Sequence, residues 1–180
     1  MCTRCGKNRH LKGAEVLEFT LAFLPLIMMM FAVLDAAWGM YAKTTLMQAV
    51  RQGVRYGITI TGTQASAAGS DQTTMVKSWV QANSMGLLRG SSGLAKIKVN
   101  YFQPPAPGST ASATDVSTQS NGNTPGNIMQ VSVQGYSLGP LVARIFGLHQ
   151  PVDASGTPIN AVAADIIEPC RDSPPIGSAP

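Results

Sequence analysis

The longest apolar segment of the chain lies near its N-terminus. A core of sixteen uncharged residues runs from Phe19 to Leu34, and after the single acid Asp35 the uncharged residues continue to Ala42. The core alone is slightly short for a membrane span, but Val16–Ala42 is long enough even with one acid inside it. The pattern therefore predicts a membrane-spanning helix.

Beyond Lys43 the pattern becomes amphipathic, with apolar residues on one stripe at Leu46, Met47, Val50 and Val54. We therefore expect one helix from about Ala14 to Tyr56, with roughly its last three turns outside the membrane. Gly57 and Gly62 are expected to mark the helix end. The apolar stripe needs a cover, which the C-terminal part of the chain can supply.

Arg51 and Arg55 are spaced i, i+4 and face away from this stripe. Two interpretations are open. The pair contacts phospholipid headgroups or a partner, or it belongs to an ordinary solvated helix face.

The rest of the chain reads as a small α+β head. Asp71 is expected to cap a short helix that carries Met75, Val76, Trp79 and Val80. Strands are predicted at 95–102, 128–133 and 159–167, the second by clear period-2 alternation. Residues 138–148 are apolar and predict a short helix or turn. Three strands packed on the long helix give a small antiparallel head of α+β class.

A tract rich in Pro, Ser, Thr, Gly and Asn separates the first two predicted strands. It covers residues 104–127 and contains one charge, Asp115, and one large aliphatic residue, Val116. We expect a long disordered loop there. The predicted organisation is thus a helix at 14–57 and a head at 58–180, preceded by a segment at 1–13.

The excess of positive charge lies entirely near the N-terminus. The chain has 180 residues, with 13 bases against 9 acids and a formal charge of +4. The first 13 residues contain four of the bases and no acid, so the remainder has 9 of each and is neutral. Basic residues on one flank of a span predict a cytoplasmic N-terminus. A nucleic-acid patch is not expected, because the four charges lack aromatic neighbours and adjoin a membrane span.

Three kinds of N-terminal segment fit this pattern to different degrees. A cleaved secretory signal would need a small-residue cleavage site, and no Ala-x-Ala closes the apolar run. An uncut signal anchor explains the hydropathy but leaves Glu18, at the start of the apolar segment, unexplained. A prepilin-type leader accounts for both.

Residues Lys12–Phe19 resemble the processing site of type IV prepilins and pseudopilins. In those families a basic leader ends in Gly, a peptidase cuts after it, and Glu is the fifth mature residue. The resemblance makes Gly13 the last leader residue, Ala14 the first mature one and Glu18 the fifth, and Glu18-Phe19 is the form found in Flp/Tad components.

Further on, the sequence is similar to the TadE-like family. The run Leu24-Pro25-Leu26-Ile27, the acid Asp35 and the segment Ala49–Gly57 match the family's Leu-Pro-hydrophobic run, acid and Ala-x-Arg-x-Gly-x-Arg-Tyr segment. The resemblance covers about residues 12–58. Ala36-Ala37-Trp38 departs from the aromatic-Gly-basic sequence that often follows the acid.

The resemblance implies a pseudopilin of a bacterial Tad/Flp-type pilus or secretion system, in the cytoplasmic membrane, with an extracytoplasmic head. Its implied partners are a prepilin peptidase, other pilin or pseudopilin subunits, the Tad machinery and the lipid bilayer. The alternative is a single-pass anchored binding or enzymatic domain unrelated to pili.

Three residues of the apolar segment are candidates for helix packing. A carboxylate in a membrane helix costs a few kcal/mol, so Glu18 is either a functional residue or lies at headgroup level. A free amine at Ala14 would pair with it. Pro25 should kink the helix. Asp35 either ends the lipid-exposed part, since Trp38 and Tyr41 follow like an aromatic belt, or pairs inside an oligomer.

Catalytic and metal-binding patterns are missing from the sequence. His10 lies in the leader and His149 stands alone, so no Ser-His-acid or Cys-His set can be built. Cys2 and Cys5 have Cys-x-x-Cys spacing without a second ligand pair. Cys170 would be the only mature thiol, and it is paired between subunits, paired with another protein, or free. We expect no enzyme activity, cofactor or metal.

Overall fold

A single long helix dominates the fold. The computed structural model describes residues 11–140, 156–169 and 172–177, with side chains from residue 15 onward. Helix α1 spans Leu11–Thr59 and continues through Pro25 without a break. At 1.5 Å per residue its length is about 70 Å, more than twice the hydrocarbon thickness of a bilayer. The predicted helix is confirmed and ends three residues beyond Tyr56.

The position of the helix end differs from the expectation at Gly57. Gly57 is buried inside α1, and a Cβ there would run into Met129 and Val76. The glycine therefore allows close packing of α1 on the head and does not end the helix. Gly62 is the first residue of the next helix.

Three short helices follow α1. They are α2 at Gly62–Ala68, α3 at Gln72–Asn83 and α4 at Gly90–Ala95. Asp71 caps α3 as predicted, because its carboxylate accepts the backbone N–H of Thr74 at 2.7 Å. The N-cap of α2 is Thr61, which forms a reciprocal capping box with Gln64.

The head contains one antiparallel sheet of four strands. These are β1 at Ile97–Gln103, β2 at Thr114–Asp115, β3 at Ile128–Leu138 and β4 at Thr157–Ile166, in the order β2-β1-β3-β4. The α+β class with a pilin-like layout is confirmed. Leu138 ends β3, and most of the predicted apolar helix or turn at 138–148 lies outside the described residues.

The tract at 104–127 has more structure than its composition predicts. Strand β2 pairs with β1 inside it. Just beyond β2, Val116 is only 3% exposed and its N–H donates to the carbonyl of Tyr101 at 2.9 Å. The expectation of a disordered loop is therefore corrected for the second half of the tract. One buried aliphatic residue and the short β1–β2 ladder hold it against the sheet.

The core lies between the inner face of the sheet and α1 with α3. The inner-face residues are Ile97, Val99 and Tyr101 on β1, Met129, Val131 and Val133 on β3, and Ile159 and Ala161 on β4. The predicted stripe of α1 packs against them, with Leu46 and Val50 fully buried. The head therefore supplies the cover that the stripe requires.

A buried polar cluster ties the head together. The side chain of Gln72 donates to the carbonyl of Gly57 at 2.8 Å and accepts from Tyr101 Oη at 3.2 Å and Asn123 Nδ2 at 2.7 Å. Asn123 also donates to the carbonyl of Pro174 at 2.6 Å. The Gln72 side chain thus links α1, α3, β1 and the loop of Asn123, and its polar atoms are satisfied inside the core. Asn123 extends the cluster to Pro174.

Residues 172–177 form a strap across the start of α3. The carbonyls of Pro175 and Ile176 accept the N–H groups of Gln72 and Thr73 at 2.9 and 3.2 Å. These are helix N–H groups that have no partner within α3. Ile176, only 6% exposed, adds an apolar anchor.

Candidate helix-packing surface and the groove above it

The N-terminal half of α1 is apolar on all sides and makes little contact with the head. Its exposed large residues include Val16, Leu17, Phe19, Leu21, Leu24, Leu26, Met28, Met29 and Val33. They follow one another too closely to form a single stripe. A helix that is apolar all round requires apolar surroundings, which are either lipid or other helices.

The predicted processing residues lie at the start of this half. Gly13 and Ala14 belong to the first turns of α1, and Glu18 is exposed one turn later. Phe19 stacks on Phe23 with ring centroids 5.4 Å apart. Glu18 is therefore presented among exposed apolar and aromatic side chains, a setting in which a carboxylate needs a partner.

Asp35 lies where the helix first meets the head. It is half-buried and lines a cavity of about 650 Å³ together with Gly39, Leu138 and Pro158. One turn further on, Trp38 stacks on Tyr41 at 5.6 Å, and Tyr41 Oη lies 3.3 Å from the sulfur of Met85 in the head. The aromatic pair thus occupies the transition from the apolar half of the helix to the head.

The segment around Arg51 has two faces of different character. Ala49, Gly53 and Gly57 are buried at spacing i, i+4, i+8, and a Cβ at Gly53 would overlap the side chain of Val80 in α3. Arg51 and Arg55 fall between them and are exposed. The small residues therefore allow α3 to approach closely, while the arginines face outward.

The two arginines line a groove beside the edge of the sheet. The groove measures about 730 Å³, and its charged residues are Lys43, Arg51 and Arg55 from α1 and Asp165 from β4. Sequence reasoning singled out the arginines but missed Asp165, because nothing local to the sequence places β4 beside α1.

Two titratable groups of the head have shifted pKa values. Burial lowers the pKa of Lys77, the nearby Lys98 lowers it further, and Asp71 opposes both effects. The side chain and backbone of Ser117 hydrogen-bond to Asp115 and lower the pKa of that carboxyl group. Neither group lines the groove or belongs to the apolar half of α1.

In the part of the chain that the structure describes, no three His, Cys, Asp or Glu side chains lie close enough together to hold a metal ion.

Within the same residues, one helix is long and apolar enough to cross a membrane. It is the segment Glu15–Thr59, and its most apolar window is not buried against the head.

A comparison with known families bears on the N-terminal helix. Residues 13–55 match the family model for TadE-like proteins. The match confirms the resemblance seen in this segment of the sequence. No curated protein and no solved structure matches the chain.

The TadE-like segment brings some predicted site residues together and separates others. Glu18, Pro25 and Asp35 lie on the apolar half, whereas Arg51 and Arg55 lie above it. The rise from Glu18 to Arg51 is about 50 Å. The TadE-like signature therefore spans two surfaces, one suited to lipid or helices and one facing water.

Proposed function

We propose that the protein is a TadE-like pseudopilin, a minor structural component of a bacterial Tad/Flp-type pilus or secretion system. The observation that carries this proposal is the fully exposed apolar half of α1, with Glu18 at its start, inside the TadE-like match. The apolar half anchors the protein in the cytoplasmic membrane, with the N-terminus in the cytoplasm and the head outside. The basic residues before Gly13 set this orientation.

The N-terminal segment is removed by a prepilin peptidase that cuts after Gly13. Cleavage frees the amine of Ala14, which pairs with Glu18 of the same or a neighbouring subunit. Such a pair neutralises the carboxylate within apolar surroundings and fixes the stagger of packed helices. The protein then acts by helix packing in the membrane, with its head directed to the rest of the apparatus.

Intact-mass measurement tests cleavage directly. The full chain is co-expressed with a prepilin peptidase and extracted from membranes, and the expected N-terminus is Ala14. Gly13→Leu should leave the chain uncut, because a side chain obstructs the peptidase at the scissile bond. Gly6→Leu, the matched change inside the leader, should not affect cleavage. An N-terminus at Met1 in the unmodified protein contradicts the processing proposal.

The pairing role of Glu18 has its own matched control in Glu15. Glu18→Ala should still be inserted and cut, but its recovery in cross-linked complexes with other pilin subunits should fall at least about tenfold. Glu15→Ala should change recovery little, because Glu15 lies in the first mature turn, where the helix dipole favours an acid. Equal recovery and unchanged piliation with Glu18→Ala would favour an anchored domain without a pilus role.

A further inference from the structure

The groove beside β4 contains cations without partners. Lys43, Arg51 and Arg55 are exposed, and among the described residues no side-chain hydrogen bond or ion pair engages them. From Ala36 to Thr59 helix α1 contains these three bases and no acid. Asp165 is the only acid among the described residues of the groove, and one of its oxygens already accepts the N–H of Ile166 at 2.8 Å. The groove therefore has surplus positive charge.

The opposite wall of the groove is an open strand edge. Strand β4 pairs with β3 and with no other described strand. Three consecutive residues, Ala163 to Asp165, line the groove. Since successive side chains point to opposite faces of a sheet, only an edge can present three in a row.

The hydrogen-bonding pattern between β3 and β4 identifies which backbone groups of β4 face away from the sheet. The N–H of Ile167 donates to the carbonyl of Asn127 at 2.8 Å, and the register pairs Val131 with Ala163. In an antiparallel ladder, residue pairs that hydrogen-bond to each other alternate with pairs whose N–H and C=O groups point away from the partner strand. Ala163 therefore bonds to β3, whereas the N–H and C=O of Val162 and Ala164 point to the open edge.

We propose that this groove binds an extended acidic segment of another protein. The segment adds to the edge of β4 as a further strand through the backbone groups of Val162 and Ala164. Its carboxylates pair with Arg51 and Arg55, whose guanidinium groups are suited to bidentate contacts. This inference goes beyond the proposed function and uses only the membrane anchoring.

A second copy of the chain does not fit the edge. Two β4 strands paired antiparallel are related by a two-fold axis normal to the sheet, which reverses every direction in the sheet plane. Helix α1 packs on the sheet face and runs along it. The two anchors would then point in opposite directions and could not enter the same membrane. The partner strand therefore comes from a different protein.

Lipid headgroups fit the arginines less well than a protein segment does. If the aromatic pair Trp38 and Tyr41 marks the membrane boundary, Lys43 lies just above it. Arg51 and Arg55 then rise about 12 and 18 Å beyond Lys43. The headgroup layer is only about 5–7 Å thick on each side.

Peptide binding to the full chain in nanodiscs of zwitterionic lipid tests the proposal. The probes are two fluorescent peptides of about ten residues, one alternating Glu with Val and the other alternating Lys with Val. We expect the Glu peptide to bind, more weakly at high salt, and the Lys peptide not to bind. The double variant Arg51→Gln/Arg55→Gln should weaken binding at least about tenfold. Arg89→Gln, an exposed arginine outside the groove, should not.

Substitution of Ala164 separates strand addition from simple charge attraction. Ala164→Pro removes an outward N–H without removing a ladder bond and should weaken binding at least about threefold. Ala164→Thr keeps that N–H and should bind like the unmodified chain. Melting curves confirm that both variants fold.

Three results would overturn the proposal. They are failure of the Glu peptide to bind, equal binding of both peptides, and equal binding by the arginine double variant. Anionic-lipid nanodiscs that abolish Glu-peptide binding would assign the arginines to headgroups instead. Unchanged pilus assembly with Glu18→Ala would count against the proposed function and leave all these peptide measurements unaffected, so the two proposals fail separately.

Discussion

The two halves of helix α1 have the same backbone and opposite surroundings. In the N-terminal half, Leu21 is 74% exposed, whereas Leu46 in the C-terminal half is fully buried. The first half is apolar all round, and the second has one apolar stripe and a polar face. The difference shows that hydrophobic content alone does not determine burial. The angular distribution of apolar residues determines whether the head covers them or they stay exposed.

A leucine pair tests this comparison with the largest expected effect. Leu46→Ala should lower the free energy of unfolding of the head by about 2–5 kcal/mol, because it leaves a cavity in the core. Leu21→Ala should leave that free energy unchanged, because Leu21 does not touch the head. Denaturant unfolding in detergent, followed by tryptophan fluorescence, measures both. A similar loss for the two variants would mean that the apolar half also packs on the head.

The next prediction concerns what holds the covered half to the head. Gln72→Leu should destabilise the head by about 2–3 kcal/mol, since the carbonyl of Gly57 and the amide of Asn123 lose a buried partner. Gln81→Leu, which removes a hydrogen bond to Gly90 at an exposed site, should cost less than about 1 kcal/mol. Equal losses of stability in the two variants would show that the buried cluster stabilises the head no more than an exposed hydrogen bond does.

The smallest expected effect is the acid sensitivity of the head. The pKa of Asp115 is lowered in the folded state by its bonds to Ser117. The stabilisation is therefore present above the unfolded pKa, near 4, and is lost as pH falls through the folded value. The unfolding midpoint should fall less steeply below about pH 4 in Asp115→Asn than in the unmodified protein. The losses of stability caused by Leu46→Ala and Gln72→Leu should be the same with or without this substitution. Parallel pH curves for the two proteins would contradict this assignment.

The elements that the sequence predicts well are those with local causes. The long helix follows from its apolar run and its stripe, and α3 follows from Asp71 and the apolar spacing behind it. The strands at 128–133 and 159–167 follow from alternation and β-branched residues. Glu18 and Arg51 stand out because each is a charge that breaks or flanks an apolar pattern.

The parts that the sequence does not reveal depend on distant contacts. Strand β2 has two residues, too few for a periodicity, and forms only because β1 offers an edge. Gln72 looks like an ordinary helix residue until Tyr101 and Asn123 surround it. Gly57 resembles a helix stop because its close contact with Met129 comes from the other side of the fold.

The strap at 172–177 has a consequence for how the head is completed. The bond between Thr73 and Ile176 joins residues 103 positions apart, so the start of α3 is closed by a segment far from it in the sequence. Contacts this distant in sequence form slowly, because the chain between them must first be ordered. The head is therefore complete only when residues 172–177 have reached the start of α3, which makes the docking of this strap a late step of folding.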